Sequence, residues 1–152
     1  MKEFKKGDTL VVKYSFDHEY KISLVGKVIS VEEDGFYTLD CLPNVKFRAD
    51  CLRSAKGTDL ICQERRRQIE VKGYNAYHDF REPLNHLVAG GISYAICDID
   101  EECASAWWPW ELDQWKPKDR MRNLIRAGAL IAAAIDKMLD EEDFEKNKHD
   151  RT

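Results

Sequence analysis

The chain has 152 residues, of which 43% are hydrophobic and 34% charged, and its formal net charge is −4. A chain of this length can bury one core, or two small units that share a core, and its composition is typical of a globular protein in water. Because no domain-sized part of the chain is strongly basic, the charge argues against binding duplex nucleic acid through its phosphate backbone.

The cysteines and the apolar runs indicate the cellular setting. The five cysteines are scattered and form no CxxC pair, so they predict neither a zinc site nor a disulfide framework. No apolar run approaches the ~20 residues that cross a bilayer, and residues 1–8 hold no apolar signal segment. We therefore expect a cytoplasmic protein with reduced thiols, no membrane contact, no bound metal and no cofactor.

Residues 1–57 are predicted to form a small β domain. Apolar patterns predict strands at residues 10–12, 21–32, 36–39 and 45–51. Asp34-Gly35 predicts a hairpin turn between the second and third strands, and Pro43-Asn44 predicts another turn. Four or five short strands of this kind predict an SH3-like barrel or a curled sheet, too small to be firmly stable alone.

Residues 58–139 are predicted to form a three-helix domain, and residues 140–152 a disordered charged tail. The helices are expected at residues 58–72, 84–97 and 117–139, joined by a loop at 74–83 and an acidic loop at 98–102. Gly73 ends the first helix, Gly90-Gly91 weakens the second, and Pro117 suits the first turn of the third. The third helix carries an apolar stripe with small residues, which leaves a homodimer open.

All four tryptophans lie within residues 107–115, directly before a cationic helix start at residues 116–123. Tryptophan rings beside fixed cations can form a wall for a flat, anionic ligand, and arginine and a helix N-terminus both bind phosphate. The same rings can instead fill the core between helices. In that alternative, Arg65 or Arg120 pairs with Glu64 or Asp119.

The ligand hypothesis assigns roles to individual residues. The predicted ligand-binding residues are Arg65, Gln68, Tyr74, His78, Asp79, Trp108, Trp110, Trp115, Lys116, Arg120, Arg122 and Asn123. The tryptophans and the tyrosine enclose a base or sugar, the arginines and the lysine hold phosphates, and the two amides read polar edges. The His-Asp pair can act beside a phosphate or cap a turn.

From Glu64 onward, the sequence resembles a family of small proteins encoded by phages and prophages. The family pairs E-R-x-R-Q-I-x-x-x-G-aromatic with W-P-W…W-K-P-x-D-R-x-R-x-L-x-x-A-G-A-L-I, and these motifs stand here at residues 64–74 and 108–131. The resemblance covers residues 61–139 and implies a cytoplasmic setting inside the host cell. The family carries a second acid after His-Asp, where this chain has Phe80, so the resemblance implies no metal site in this loop.

The same region is weakly similar to the ryanodine-receptor repeat (RyR) domain. That domain has a Gly-aromatic pair at a helix end, then an Asp, a His-Leu-Val-like step and an Asp-Arg before a closing helix. Gly73-Tyr74, Asp79, His86–Val88 and Asp119-Arg120 follow this order. Because relatives of such domains are suspected of holding nucleotide-like ligands, the resemblance implies a three-helix ligand-binding domain.

We therefore predict an α+β protein of phage type that captures a small anionic, nucleotide-derived ligand without catalysis. The resemblance implies a purpose, namely sequestering a host immune signal as an anti-defence protein. Two alternatives stay open: a magnesium-dependent nucleotide pyrophosphohydrolase, and a module whose β domain docks a host protein. The enzyme is disfavoured because it needs several carboxylates three or four residues apart on facing helices, and only Glu64 is well placed on a helix.

Overall fold

The computed structural model describes residues 3–13 and 24–149, and the fold is mixed α+β. The chain divides into two compact units, Met1–Leu60 and Ile61–Thr152. An antiparallel sheet occupies the first unit, and helices occupy the second. None of the helices in the described ranges has the length and apolarity that a membrane span requires.

The sheet of the first unit has five strands. They are β1 (Thr9–Val12), β2 (Val25–Val31), β3 (Phe36–Leu39), β4 (Leu42–Arg48) and β5 (Leu52–Ser54). Their order across the sheet is β4-β3-β2-β1-β5, and each neighbouring pair is antiparallel. A 3₁₀ turn, Ala49–Cys51, separates β4 from β5. Residues 21–23 of the predicted second strand lie outside the described residues.

One predicted turn is confirmed and the other is wrong. Gly35 has a φ of 81°, which suits glycine, and the Glu32 amide donates to Phe36 across the β2–β3 hairpin. Pro43 and Asn44, in contrast, lie inside β4, and the chain turns at residues 40–41 instead. A proline is tolerated there because β4 is an edge strand, where a missing N–H breaks no ladder.

The core of the first unit comes from alternate strand residues. Leu10, Leu39 and Leu52 are fully buried and pack with a ring of aromatic and β-branched side chains. The alternation predicted over residues 45–51 is right for Phe47, which is buried, but Val45 remains 39% exposed. The alternation also ends early, because the chain leaves the sheet for the 3₁₀ turn after Arg48.

The described part of the chain contains five α-helices rather than three. They are α1 (Gly57–Lys72), α2 (Ala76–Arg81), α3 (Leu84–Ile96), α4 (Glu101–Trp107) and α5 (Arg120–His149). The short helix α2 lies within the predicted loop at 74–83, and α4 begins in the predicted acidic loop and continues through residues for which no helix was predicted. Each begins at an Asx cap, because Asn75 accepts from the His78 amide and Asp100 accepts from the Cys103 amide.

The two ends of α5 both differ from the prediction. The helix begins at Arg120, three residues after Pro117, because the Asp119 carboxylate caps it by accepting from the Arg122 amide at 3.0 Å. It then continues to His149, so residues 140–149 are helical where a disordered tail was predicted. Ion pairs one turn apart, such as Lys137 with Glu141 at 3.0 Å, accompany this extension. Residues 150–152 lie outside the described residues.

The core of the second unit forms where α3 packs on α5. Gly90 and Gly91 lie on the packed face of α3 and do not interrupt the helix. A Cβ at position 90 would lie 2.4 Å from Cζ3 of Trp110, and one at position 91 would lie 3.0 Å from Ile131. The glycines therefore permit close packing of the tryptophan segment and α5 against α3, which outweighs their low helix propensity.

Candidate ligand-binding site

A cavity of about 820 Å³ lies within the second unit. Its walls come from α1, α2, α3, α5 and the segment that joins α4 to α5. Nine of the twelve predicted ligand-binding residues line it: Arg65, Gln68, Tyr74, His78, Asp79, Trp108, Trp110, Lys116 and Arg122. Residues that are up to 57 positions apart in sequence therefore meet around one volume, which is within the usual size range of small-molecule sites.

The other three predicted residues lie outside the cavity lining. Trp115 stacks on Tyr94 with ring centroids 4.9 Å apart. Asn123 is fully buried, accepts from the Lys118 amide and donates to the Lys118 carbonyl, so it holds the chain at the entry to α5. Arg120 is exposed at the first residue of α5. At 100° per residue Arg120 lies on the same side of α5 as the exposed Leu124 and away from the cavity-lining Arg122.

The tryptophans serve both as packing and as cavity wall. Trp108 lies 4.8 Å from Trp110 and 4.9 Å from Trp115 between ring centroids, and it meets Tyr94 edge-on at 5.4 Å. The indole of Trp110 donates to Glu82 at 3.1 Å and that of Trp108 to the Glu111 carbonyl at 3.1 Å. Trp107, in contrast, is 53% exposed. Because their N–H groups are engaged, Trp108 and Trp110 are held in place as a rigid aromatic surface.

A buried carboxylate orients two arginines at the cavity. The Glu64 side chain is 1% exposed and accepts from Arg67 at 2.7 and 2.9 Å and from Arg122 at 2.8 Å. Burial alone would raise the pKa of Glu64, but the hydrogen bonds from Arg67 and the charges of Arg122, Arg67 and Arg126 together hold it below its usual value. Glu64 is therefore ionised and fixes both guanidinium groups.

The sequence-based site omitted Glu64, Arg67 and Arg126, all of which line the cavity. Glu64 and Arg67 are three residues apart and share a helix face with Gln68, as do Arg122 and Arg126 with each other on α5. Arg126 also donates to the Lys116 carbonyl and lies over the Tyr94 ring at 5.4 Å. Glu64 and Arg126 could thus have been found from sequence, because each lies four residues from a predicted site residue on the same helix, and Arg67 lies three residues from Glu64.

Arg65 is held by protein groups rather than left for a phosphate. Its guanidinium pairs with the buried Asp79 at 2.5 Å, donates to the Tyr74 carbonyl at 3.1 Å and lies 3.4 Å from Asp136. The imidazole of His78 lies 3.2 Å from the other Asp79 oxygen and stacks on Tyr74 at 4.6 Å. Arg65 therefore has an ion-pair partner, as the packing alternative predicted, but that partner is Asp79 instead of Glu64.

Three polar side chains at the cavity lack the hydrogen-bond or ion-pair partners that Arg65 has. Gln68 is only 7% exposed, yet its carboxamide hydrogen-bonds to no group among the described residues. Lys72 and Lys116 also line the cavity, and neither forms an ion pair within the described ranges. Six cationic side chains and four carboxylates line the cavity in total, which leaves an excess of positive charge. Such a lining suits an anionic molecule with a polar edge and a flat face.

Two of the four carboxylates at the cavity are paired with arginines, Glu64 with Arg67 and Arg122 and Asp79 with Arg65. A third, Glu82, accepts a hydrogen bond from the indole N–H of Trp110. In the described part of the chain, no group of three or more His, Cys, Asp or Glu is arranged to hold a metal ion.

No protein-family model, curated protein or solved structure matches this chain. A proposal for the function of this protein therefore depends on the residues that line the cavity.

Proposed function

We propose that the second unit is a non-catalytic binding module that captures a small anionic molecule derived from a nucleotide. The observation that carries this proposal is the Gln68 carboxamide, which lines the cavity and has no hydrogen-bond partner among the described residues. Arginines that Glu64 orients and the rings of Trp108 and Trp110 line the same cavity. Since no buried side-chain nitrogen or oxygen among the described residues lacks a hydrogen-bond partner, the carboxamide is open to the cavity and available to a ligand.

The parts of the cavity fit the parts of a nucleotide. The faces of Trp108 and Trp110 offer stacking to a base. Arg122 and Lys116 offer hydrogen bonds and positive charge to phosphates, and Gln68 can both donate to and accept from a polar base edge. Because Glu64 fixes Arg122 before the ligand arrives, little conformational entropy is lost on binding.

The arrangement of carboxylates supports binding over hydrolysis. A magnesium-dependent pyrophosphohydrolase needs free carboxylates that face a common metal position. Glu64 is enclosed by Arg67 and Arg122, and Asp79 by Arg65 and His78, so both are committed to organising cations. We accordingly favour capture without turnover.

We further propose that the first unit is SH3-like and that the second unit is RyR-like. The strand order of the first unit, with a 3₁₀ turn between its last two strands, supports an SH3-like sheet. The order of motifs around the cavity supports an RyR-like second unit. If the resemblance to phage-encoded proteins reflects common descent, the captured molecule is a host immune signal and the protein acts in the host cytoplasm against defence.

A thermal-shift panel of nucleotides and their phosphate-free nucleosides tests the proposal. A nucleotide at ~100-fold above its Kd should add about 2.7 kcal/mol of stability and raise the melting temperature, while the parent nucleoside should do so much less. Lys116→Glu should abolish the shift. Lys118→Glu is the matched control, since Lys118 is an exposed lysine two residues away that does not line the cavity.

Two results would count against the proposal. Equal loss of the shift in both lysine variants would mean that overall charge, and not the cavity, attracts the ligand. The absence of any shift across the panel, with the protein folded, would remove nucleotide capture altogether. Recovery of intact nucleotide after long incubation separates capture from hydrolysis.

A further inference from the structure

Helix α5 carries a second apolar face that the fold of one chain covers only in part, where Ile131 packs beside Gly91 of α3. Leu124, Ile131, Ile135 and Met138 are exposed by 42%, 38%, 53% and 49%. At 100° per residue they form one stripe, on the side of α5 away from Arg122 and the other cavity-lining residues. We call these four residues the α5 stripe. A helix that is apolar on two faces needs a second packing partner.

The charges that border the α5 stripe differ between the two ends of the helix. At 100° per residue Arg120 borders the start of the stripe, whereas Arg122 and Arg126 line the cavity on the other side of the helix. Glu142 and Glu145 border its end by the same spacing. This asymmetry identifies which partner the stripe fits.

We infer that the α5 stripe pairs with the same stripe of a second copy of this chain, with the two α5 helices antiparallel. An antiparallel pair centred near Ile131 places Leu124 of each helix near Met138 of the other. It also places Arg120 of each helix beside the acidic end of its partner. One two-fold axis then satisfies both the apolar and the charged surfaces, whereas a parallel pair would oppose like charges.

Two further features support this pairing. Arg120 lies outside the cavity lining and forms no ion pair among the described residues, and at 100° per residue it borders the stripe. In the antiparallel pair it lies close to Glu142 of the second copy. The last turns of α5, from residue 140, are helical yet exposed, although exposed helical ends are marginal without tertiary contacts. A neighbouring helix supplies those contacts. This inference does not rest on the proposed ligand.

Light scattering coupled to gel filtration, on the full chain without ligand, tests the inference. The expected mass is twice the 17.7 kDa of one chain. Ile135→Glu should return the mass to that of one chain without loss of helical circular dichroism, because the side chain is half exposed in the single chain. Val71→Glu is the matched control, since Val71 is an exposed apolar residue of α1 outside the stripe and its change should leave the dimer intact.

A charge exchange tests the antiparallel direction. Arg120→Glu alone and Glu142→Lys alone should each weaken the dimer, and the two together should restore it within one homodimer. A single-chain mass at all accessible concentrations overturns the pairing. A dimer that Ile135→Glu leaves intact places the interface elsewhere, and a dimer that the double variant fails to restore overturns the antiparallel direction.

Discussion

At the scale of single residues, Gln68 offers a polar group to the cavity. Its carboxamide has no hydrogen-bond partner among the described residues and is open to the cavity, so the empty fold does not depend on it. We predict that Gln68→Leu changes the free energy of unfolding by less than about 1 kcal/mol and abolishes nucleotide binding. Urea titration and a binding assay measure the two effects.

Gln63→Leu, on the exposed side of the same helix, is the control for Gln68→Leu and should change the free energy of unfolding by less than about 0.5 kcal/mol. A Gln68→Leu protein that is destabilised and still binds nucleotides would mean that the carboxamide serves packing. A variant of nearly unchanged stability that no longer binds would mean that the carboxamide serves the ligand.

Asp59 gives the first unit a defined acid sensitivity. The hydrogen bonds from Arg53, at 2.7 and 2.8 Å, are the main cause that lowers the pKa of Asp59 from 3.8 to about 2. A carboxyl with a lowered pKa stabilises the fold fully above its unfolded pKa and loses that contribution as the pH falls through the folded value. We predict that wild type is more stable than Asp59→Asn at neutral pH and that this advantage shrinks between pH 3.8 and about 2.

Urea unfolding of wild type and Asp59→Asn across that pH range measures the effect. Glu33→Gln, an exposed acid at the β2–β3 turn, is the control and should show no comparable pH-dependent difference. An advantage of wild type over Asp59→Asn that is constant down to pH 2 would contradict the assigned pairing with Arg53.

Single residues of the site were predictable where helix periodicity alone positions them. Gln68 lines the cavity, as its place on the interior face of the predicted first helix indicated. The partner of Arg65 was not predictable, since Asp79 reaches it only through α2, a helix the sequence did not reveal. Arg120 lies outside the cavity lining because it is on the side of α5 that carries the exposed Leu124.

At the scale of elements, Gly90 determines how closely the Trp110 ring packs against α3. A Cβ at this position would lie 2.4 Å from Cζ3 and 2.9 Å from Cη2 of the Trp110 ring. We predict that Gly90→Ala displaces the ring and lowers the free energy of unfolding by about 1–3 kcal/mol, which exceeds the gain of up to ~1 kcal/mol from helix propensity. Thermal unfolding and near-ultraviolet circular dichroism of the tryptophans measure it.

Gly57→Ala is the matched control for Gly90→Ala, because a Cβ at the first residue of α1 meets nothing within 4 Å. This variant should be neutral or slightly stabilised. A stable Gly90→Ala protein with an unchanged tryptophan signal would show that the ring is not packed against α3.

The elements differed in how well their sequence patterns predicted them. The ends of α1 and α3 were predicted to within about two residues, because Gly73 at φ 73° stops the first and Pro83 precedes the second. The short helices α2 and α4 were missed because six or seven residues carry too little periodicity. The extension of α5 was missed because its last turns are charged on all sides, which resembles a disordered tail.

At the scale of the whole molecule, each of the two units has its own core. The α+β class of the chain follows from the change of hydrophobic period from two to 3.6 near residue 57. The cavity of the second unit was only partly predictable. Its tryptophans and cations were visible in sequence, but the contacts among Glu64, Arg67 and Arg122 depend on tertiary packing between α1 and α5.

Tryptophan fluorescence during nucleotide titration tests the central claim most directly. The experiment uses Trp107→Phe, which removes an exposed tryptophan that does not line the cavity. The reporters that remain are Trp108 and Trp110 in the cavity lining and Trp115, which packs against Trp108. We predict a saturable change in emission with a nucleotide, a far weaker change with its nucleoside, and none when Lys116→Glu is added. Unchanged emission with every nucleotide, from a folded protein, would contradict the account and leave the tryptophans as packing alone.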